Sequence, residues 1–249
     1  ARCAATRTAP RTPASQAHWT CRTSLDGSRS TVPVVRILHR GGNLRDLLPL
    51  ATHPAIDAIE ADIWVRGDQI VAHHDRPLGP LPFTIGPNGI HREPNDRVHL
   101  PEIIAAVGAA NPHSGLVLDL RSWLADPAPD LARALLRLPD HSHVIVSCEV
   151  WSIADRLRAW VPDLRVAYSI RSEAQLRRFV ARGIEGGAEP VTVAIRESLL
   201  HSSEEVRALK RYARAVTAWT VDDADRGLEL AAWGVDGVVS NHVAVLNAL

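Results

Sequence analysis

Residues 216–240, VTAWTVDDADRGLELAAWGVDGVVS, contain one complete copy of the pattern that decides the fold. The apolar run at Val216–Thr220 predicts a strand, and Asp223–Trp233 has the apolar spacing of an amphipathic helix. Gly234 follows that helix at the position where a glycine commonly ends a helix in a left-handed conformation. Gly237–Ser240 then returns to a short apolar run. The stretch therefore predicts a strand, a helix and a second strand in succession.

The same alternation extends back to the first third of the chain. Six further apolar runs predict strands, at Val34–His39, Ala58–Trp64, Leu116–Leu120, Val144–Cys148, Arg165–Ser169 and Val191–Ile195. Amphipathic stretches between them predict helices, at Asn43–Thr52, Pro101–Ala109, Leu131–Leu138, Ile153–Trp160, Ser172–Arg182 and Ser203–Arg211. Asn43, Ser172 and Ser203 are predicted N-caps, and Gly183 is a predicted C′ glycine.

Eight strands that alternate with helices predict an α/β protein, a single-domain (β/α)8 TIM barrel. A doubly wound open sheet is the rival architecture. It usually has fewer strands and carries a glycine-rich first turn, of which GxGxxG is the common form, and that motif does not occur in this sequence.

Residues 1–31 differ from the rest of the chain. They are rich in Ala, Arg, Thr and Ser and sustain no apolar periodicity. We expect an irregular tail or a wrongly chosen start, with a transit peptide as the alternative, and we assign residues 32–249 to the barrel. No apolar segment of the secretory type argues for export, so we expect a cytoplasmic location.

Composition excludes several classes of function. The 28 Lys and Arg residues balance 28 Asp and Glu residues, so no basic surplus favours nucleic acid as a partner. The chain has no apolar run of about 18 residues, so we expect no transmembrane segment. Three cysteines cannot form a disulfide framework. A globular domain remains, and its oligomeric state is left open.

The connection between the second predicted strand and the helix at Pro101 is unusually long. Residues 67–100 read GDQIVAHHDRPLGPLPFTIGPNGIHREPNDRVHL. A connection of this length between a strand and a helix suggests a functional lid or arm. In a barrel it would lie on the catalytic face, where the C-terminal ends of the strands build the site.

Three acidic residues fall on the second and third predicted strands. Glu60 and Asp62 are two residues apart, so both side chains point to one face, and Asp119 comes from the adjacent strand. Carboxylates that point into an apolar barrel are costly unless a cation neutralises them. Oxygen ligands favour Mg²⁺ or Ca²⁺ over zinc. The structural alternatives are a solvated pair of carboxylates, and an ion pair between Asp119 and Arg121.

Basic residues fall near the same strand ends. His39 ends the first predicted strand and Arg40 follows it, Arg121 ends the third, and His74 lies in the long connection. Guanidinium groups suit phosphate, and two imidazoles can serve as a general acid and a general base. With a metal ion, this set of groups indicates phosphodiester cleavage.

The residues that carry these groups resemble a known family. ILHRGG (37–42), AIEADIWVRGDQIVAHHD (58–75) and TAWTVDDADRGLELAAWGVDGVVSNH (217–242) resemble the glycerophosphodiester phosphodiesterases, which are TIM barrels. The family pattern has a His-Arg-Gly turn, then Glu-x-Asp, then a His-Asp or His-Glu pair. The resemblance spans residues 34–242 and implies metal-dependent hydrolysis of glycerophosphodiesters to sn-glycerol 3-phosphate and an alcohol.

The resemblance also implies a role for each matched residue. Glu60 and Asp62 would be metal ligands, and His39 and His74 the acid/base pair, with His73 a weaker candidate for the second histidine. Arg40 would contact the phosphate.

In two features this chain departs from the family pattern. The family's third ligand is normally a Glu in a Glu-Leu/Ile-Lys strand, but Asp119 and Arg121 stand at those positions here. The segment after His74 is shorter than usual, which implies a more open site. Trp219 would pack on the glycerol carbons or belong to the core.

Two alternative functions stay open. One is a lipid phosphodiesterase of the lysophospholipase D or sphingomyelinase D type, although no exposed amphipathic helix for membrane binding is evident. The other is a catalytically degenerate barrel that only binds.

Overall fold

A computed structural model describes residues 33–67, 69–78, 81–92, 96–110, 114–122, 126–185 and 191–249; the predicted tail at 1–31 lies outside them. Within these residues eight parallel strands form a barrel: β1 Val35–Leu38, β2 Ala58–Arg66, β3 Gly115–Arg121, β4 Val144–Cys148, β5 Arg165–Ile170, β6 Val191–Arg196, β7 Ala213–Trp219 and β8 Gly237–Ser240. Each strand pairs with the next, and β1 pairs with both β8 and β2, which closes the barrel. The TIM-barrel prediction is confirmed.

Helices connect the strands: α1 Leu100–Ala110, α2 Ala128–Leu136, α3 Trp151–Trp160, α4 Glu173–Glu185, α5 Ser203–Leu209, α6 Ala224–Trp233 and α7 Val243–Ala248. The predicted helix at Asn43–Thr52 is a 3-10 helix, Arg45–Thr52. It contains Pro49, which has no N–H to donate within an α-helix. In the described residues no helix has the length and apolar character needed to cross a membrane.

Strand alternation divides the apolar side chains into two layers. On β2, Ile59, Ala61 and Ile63 join the main core between barrel and helices, together with Ile103 of α1. Ala58 points the other way and forms a small cluster with side chains of β1 and β8. The residues of β2 that follow Ala58 on this inner face, at every second position, are Glu60 and Asp62.

The predicted helix ends have mixed outcomes. Gly234 ends α6 at a φ of 93°, as predicted. The prediction of Ser203 as a cap is wrong, because Ser202 accepts the hydrogen bond that caps α5. The prediction of Gly183 as a C′ residue is also wrong, since it lies inside α4. A Cβ at Gly183 would lie 2.5 Å from the ring of Tyr212, so close packing requires this glycine.

The long connection forms an arm with regular structure of its own. Gln69–Ala72 pairs antiparallel with the C-terminal half of β2, and Val98–His99 pairs with Gln69–Ala72. Between them Arg76–Pro77, Phe83–Gly86 and Gly89–Arg92 form a separate antiparallel sheet, which we call the accessory sheet. As predicted, the arm emerges at the C-terminal end of the barrel strands.

Candidate functional site

The three predicted acidic ligands converge inside the barrel. Asp62 on β2 lies directly opposite Asp119 on β3, and Glu60 precedes Asp62 on the same face of β2. One carboxylate oxygen from each residue lies within 4.8 Å of the others. We call Glu60, Asp62 and Asp119 the acidic trio.

Burial and mutual repulsion perturb the acidic trio. Burial, followed by the charges of Asp62 and Asp119, raises the pKa of Glu60 well above its usual range. Burial also raises the pKa of Asp119 to about 6, against the nearby positive charge of Arg121. Burial alone would raise the pKa of Asp62, but Arg121 and the amide of Asn43 hold it below its usual range.

Asn43 orients the central carboxylate of the trio, which corrects its predicted role as a helix cap. Its amide N–H donates to Asp62 Oδ2 at 2.8 Å, and its Oδ1 accepts from the backbone N–H of Asp62 at 2.8 Å. The residue before the 3-10 helix is Leu44, and no side chain caps that helix. Asn43 is itself buried. Its hydrogen-bonding groups therefore serve the barrel interior instead of the helix end.

The turn after β1 brings backbone donors to the trio. The backbone N–H of Arg40 donates to Glu60 Oε2 at 2.7 Å, with Arg40 at a φ of 55°. The N–H of Gly42 donates to the backbone carbonyl of Glu60 at 2.9 Å. A Cβ at Gly42 would lie 2.6 Å from the side chain of Ala61, so the turn can approach β2 this closely only with glycine there.

Both predicted phosphate-binding arginines lie against the trio. Arg121 donates through Nε to Asp62 Oδ1 at 2.9 Å, and its terminal nitrogen also bonds Asp62 and lies 3.1 Å from Asp119. Arg40 Nε is 3.6 Å from Asp62 Oδ2. The ion pair between Asp119 and Arg121, the alternative weighed from the sequence, therefore forms, and Asp62 shares it.

The acidic trio fits a hard divalent cation. Its donor atoms are all carboxylate oxygens, the ligand type that Mg²⁺ and Ca²⁺ prefer. Burial raises the pKa values of Glu60 and Asp119 even beside the arginines, and a bound cation would favour the charged forms of both carboxyl groups. Both oxygens of Asp62 already accept hydrogen bonds, so a cation bound there would share or replace the contact with Arg121.

His39 is held by a chain of hydrogen bonds between the two ends of the barrel sequence. Its Nδ1 lies 2.7 Å from Asn241 Oδ1, and the Asn241 amide donates to Asp222 Oδ2 at 2.7 Å. Because the Asp222 carboxylate fixes the amide as a donor, Asn241 Oδ1 accepts and His39 Nδ1 carries the proton. His39 Nε2 lies 3.9 Å from Glu60 Oε2. Burial lowers the pKa of His39, which favours the neutral imidazole.

The second predicted histidine, His74, lies at the start of the arm. It is exposed, and its Nδ1 is 3.4 Å from Asp75 Oδ1. The other oxygen of Asp75 lies 2.7 Å from His91 Nε2 in the accessory sheet. His73 stacks its ring against Trp64, and its backbone N–H bonds the carbonyl of Asp62.

Trp219 at the end of β7 is half-buried. It packs against the inner cluster of Ile37, Ala58 and Val239. Its indole N–H is buried and finds no hydrogen-bond partner within the part of the chain that the structure describes. The core role weighed from the sequence is thus observed, and the same ring presents an unused donor inside the barrel.

Four residues of this network, Asn43, His91, Asp222 and Asn241, were not predicted as site residues from the sequence. Asn241 and Asp222 follow the ends of β8 and β7, so the rule that places polar strand-end residues in a barrel site could have found them. Asn43 was misread because asparagine before an amphipathic stretch is also a good helix cap. His91 gives no such signal, since its contact with Asp75 depends on the fold of the arm.

Comparisons with known proteins identify the fold. No protein-family model matches the chain, and no curated protein matches it in sequence. A phosphodiesterase from Oleispira antarctica, solved with the product sn-glycerol-3-phosphate, has a TM-score of 0.66 and 19% identity. The match covers 86% of this chain and 96% of that one.

Other solved structures with this fold carry related names. A protein from Silicibacter pomeroyi named as a glycerophosphoryl diester phosphodiesterase has a TM-score of 0.68 and 15% identity, over 86% of this chain and 91% of that one. A glycerophosphodiester phosphodiesterase from Parabacteroides distasonis has a TM-score of 0.63 and 18% identity, over 86% and 94%. The chain therefore has the (β/α)8 fold of solved glycerophosphodiester phosphodiesterases, as its sequence resemblance predicts.

Proposed function

We propose that this chain hydrolyses glycerophosphodiesters to sn-glycerol 3-phosphate and an alcohol, and that it depends on one Mg²⁺ or Ca²⁺ ion. The observation that carries the proposal is the convergence of Glu60, Asp62 and Asp119 within 4.8 Å, beside two guanidinium groups. The structural likeness to phosphodiesterases, one of them solved with sn-glycerol-3-phosphate, supports the same reaction class.

The acidic trio, through a bound cation, and the two arginines would together bind the phosphate. When bound, a divalent cation supplies Lewis acidity toward the phosphoryl oxygens. Arg40 and Arg121 present fork-shaped donors that match those oxygens. The indole N–H of Trp219, which is buried and unpaired among the described residues, offers a further donor, and its ring can pack on the glycerol carbons.

His39 is suited to accept a proton. Its Nδ1 is committed to Asn241, so the lone pair is on Nε2, the nitrogen that faces Glu60. Burial lowers its pKa, which keeps the ring neutral near pH 7. In the proposed mechanism His39 Nε2 takes the proton of the attacking hydroxyl group, which is water or a hydroxyl of the substrate.

His74 is assigned the complementary step. It protonates the oxygen of the departing alcohol as the phosphorus–oxygen bond breaks. The contact of its Nδ1 with the neighbouring Asp75 carboxylate, at 3.4 Å, helps to hold the ring in one orientation. Histidines on two different segments, the turn after β1 and the arm, would then act on the attacking hydroxyl group and on the departing alcohol, respectively.

The direct test is the release of sn-glycerol 3-phosphate from glycerophosphocholine and glycerophosphoethanolamine with Mg²⁺, Ca²⁺ or EDTA. We expect release that EDTA abolishes. Release that persists at full rate in EDTA would contradict the metal site. No release with either ion, from protein shown to be folded, would contradict the proposed reaction and favour the binding-only barrel.

A matched pair of histidine variants tests the acid/base assignment. His39→Ala should lower turnover by about 10²- to 10⁴-fold, the usual contribution of general acid–base catalysis. Its fold and its cation affinity should stay intact. His141→Ala is the control, because His141 precedes β4 at the opposite end of the barrel and should retain full turnover. Equal rates for both variants would show that His39 has no catalytic role.

A further inference from the structure

The accessory sheet has one face, which we call the inner face, that packs against Asp75 of the arm. In this sheet Thr84 pairs directly with His91, so both side chains point to the same side. His91 bonds the carboxylate of Asp75, and Thr84 is almost fully buried. A Cβ at Gly86 would lie 2.8 Å from the Asp75 carboxyl group. This inner face is therefore polar and packs against Asp75, next to His74.

The outer face has the opposite character. Phe83 pairs with Arg92, and Ile85 pairs with Ile90 and Arg76, so these five side chains share one side. Phe83, Ile85 and Ile90 are 40%, 36% and 65% exposed, and Leu81, just before the second strand, is 56% exposed. A sheet with one solvent-exposed face normally buries its apolar side and exposes its polar side. Here three apolar side chains are exposed, and the side chain that is almost fully buried is that of Thr84.

The charges on the outer face indicate what could cover it. The charged members of the paired set are both cationic, Arg76 and Arg92, and they flank the apolar side chains. A symmetric contact between two copies of the chain would bring these arginines against their own counterparts, which is unfavourable. Apolar side chains bordered by cations instead match the boundary between the headgroups and acyl chains of anionic lipids.

We propose that the outer face of the accessory sheet docks the barrel onto an anionic lipid surface. Phe83, Ile85 and Ile90 would enter the headgroup boundary, while the exposed Arg92 pairs with lipid phosphates and Arg76 adds to the positive charge of the face. Because Arg76 lies only two residues from His74, docking would bring the candidate site to phosphodiesters at that surface. This last consequence rests on the proposed function, whereas the docking itself does not.

Vesicle sedimentation of the full chain tests the proposal. The two probes are vesicles of phosphatidylcholine alone and of equal parts phosphatidylcholine and phosphatidylglycerol. We expect the protein to sediment with the anionic vesicles and much less with the neutral ones. The double variant Phe83→Ser/Ile90→Ser should bind the anionic vesicles at least about tenfold more weakly, because it loses the exposed apolar area.

Two further variants separate this face from general surface effects. Arg92→Gln should weaken binding to anionic vesicles about fivefold and leave binding to neutral vesicles unchanged. Leu136→Ser/Ile184→Ser removes two comparably exposed apolar side chains from α2 and α4, and should bind like the unmodified chain. Hydrolysis of glycerophosphocholine in solution should be the same in all variants, since none of these residues belongs to the candidate site.

The outcomes distinguish the two proposals. Failure of the unmodified chain to sediment with either vesicle would overturn the docking proposal. So would equal losses in Phe83→Ser/Ile90→Ser and in the control, or a dimer in solution that Phe83→Ser/Ile90→Ser dissociates. Vesicle binding that depends on Phe83 and Ile90 supports docking even if no diester is hydrolysed, a result that would count only against the proposed function.

Discussion

Replacement of Arg121 by glutamine is the most informative perturbation of the site. The Arg121 guanidinium bonds Asp62, which is fully buried, and lies 3.1 Å from Asp119. Removing one partner of a buried ion pair typically costs about 3–5 kcal/mol. We expect the lower limit, because the pKa of Asp119 is already about 6 and this carboxyl group can take up a proton at modest cost.

In EDTA at pH 8, Arg121→Gln should therefore lower the free energy of unfolding by about 3 kcal/mol, or the melting temperature by roughly 6–12 °C. Saturating Mg²⁺ or Ca²⁺ should remove most of this loss, since the cation replaces the missing charge. The assay is urea and thermal unfolding with and without the cation.

Arg207→Gln is the matched control. Arg207 pairs with Glu204 on an exposed face of α5, and such pairs contribute under about 1 kcal/mol. This variant should melt like the unmodified chain in both conditions. If Arg121→Gln also melts unchanged in EDTA, the guanidinium does not compensate the trio. If the cation stabilises Arg121→Gln and the unmodified chain equally, it does not take over the role of Arg121.

Three further predictions concern the same site. Asn241→Ala removes the acceptor that orients His39, so turnover should fall by about 10- to 100-fold with little change in melting temperature. Both quantities are measured for this variant and for the unmodified chain. Asp119 must lose a proton to bind a cation, so with its pKa raised to about 6 the cation affinity from calorimetry should fall as the pH drops below 6, and the raised pKa of Glu60 should extend this dependence to higher pH. Gly42→Ala places a methyl group 2.6 Å from Ala61 and should cost about 1–3 kcal/mol in urea unfolding, whereas Gly108→Ala, in open space on α1, should be neutral or stabilising. A pH-independent affinity, or equal stabilities of the two glycine variants, would contradict these expectations.

The barrel strands were predictable because each is short, apolar and bounded by polar residues. The predicted bounds of β4 and β8 match the structure, and those of β3 differ by one residue at each end. The strand β7 begins at Ala213, three residues before its predicted start. Arg214 is exposed and interrupts the apolar run there, although the backbone still pairs.

The presence of the arm was predicted from the length of the connection, but its strands could not be, and the reason is physical. Sequence patterns identify a strand by assuming that its apolar side is buried. In the accessory sheet the apolar positions Phe83, Ile85 and Ile90 are exposed, and the buried position is Thr84. The contact between Asp75 and His91 depends on how the strands of this sheet pair, so it could not be predicted either.

The acidic residues of the site were predictable from spacing alone, and the network that holds them was not. Glu60, Asp62 and Asp119 are fixed by strand alternation, which has a regular period of two. The contacts of Asn43 and Asn241 instead depend on how a turn closes over its neighbours. Such contacts produce no periodic pattern in a sequence.

The hydrogen bond between His39 and Asn241 joins groups that are 202 positions apart in the chain. The trio lies on β2 and β3, which are synthesised before the last strand and before Asn241. The imidazole acquires its fixed tautomer only when the last strand inserts between β7 and β1. In the proposed mechanism His39 is the base, so the closure of the barrel by its last strand would also be the step that orients this base.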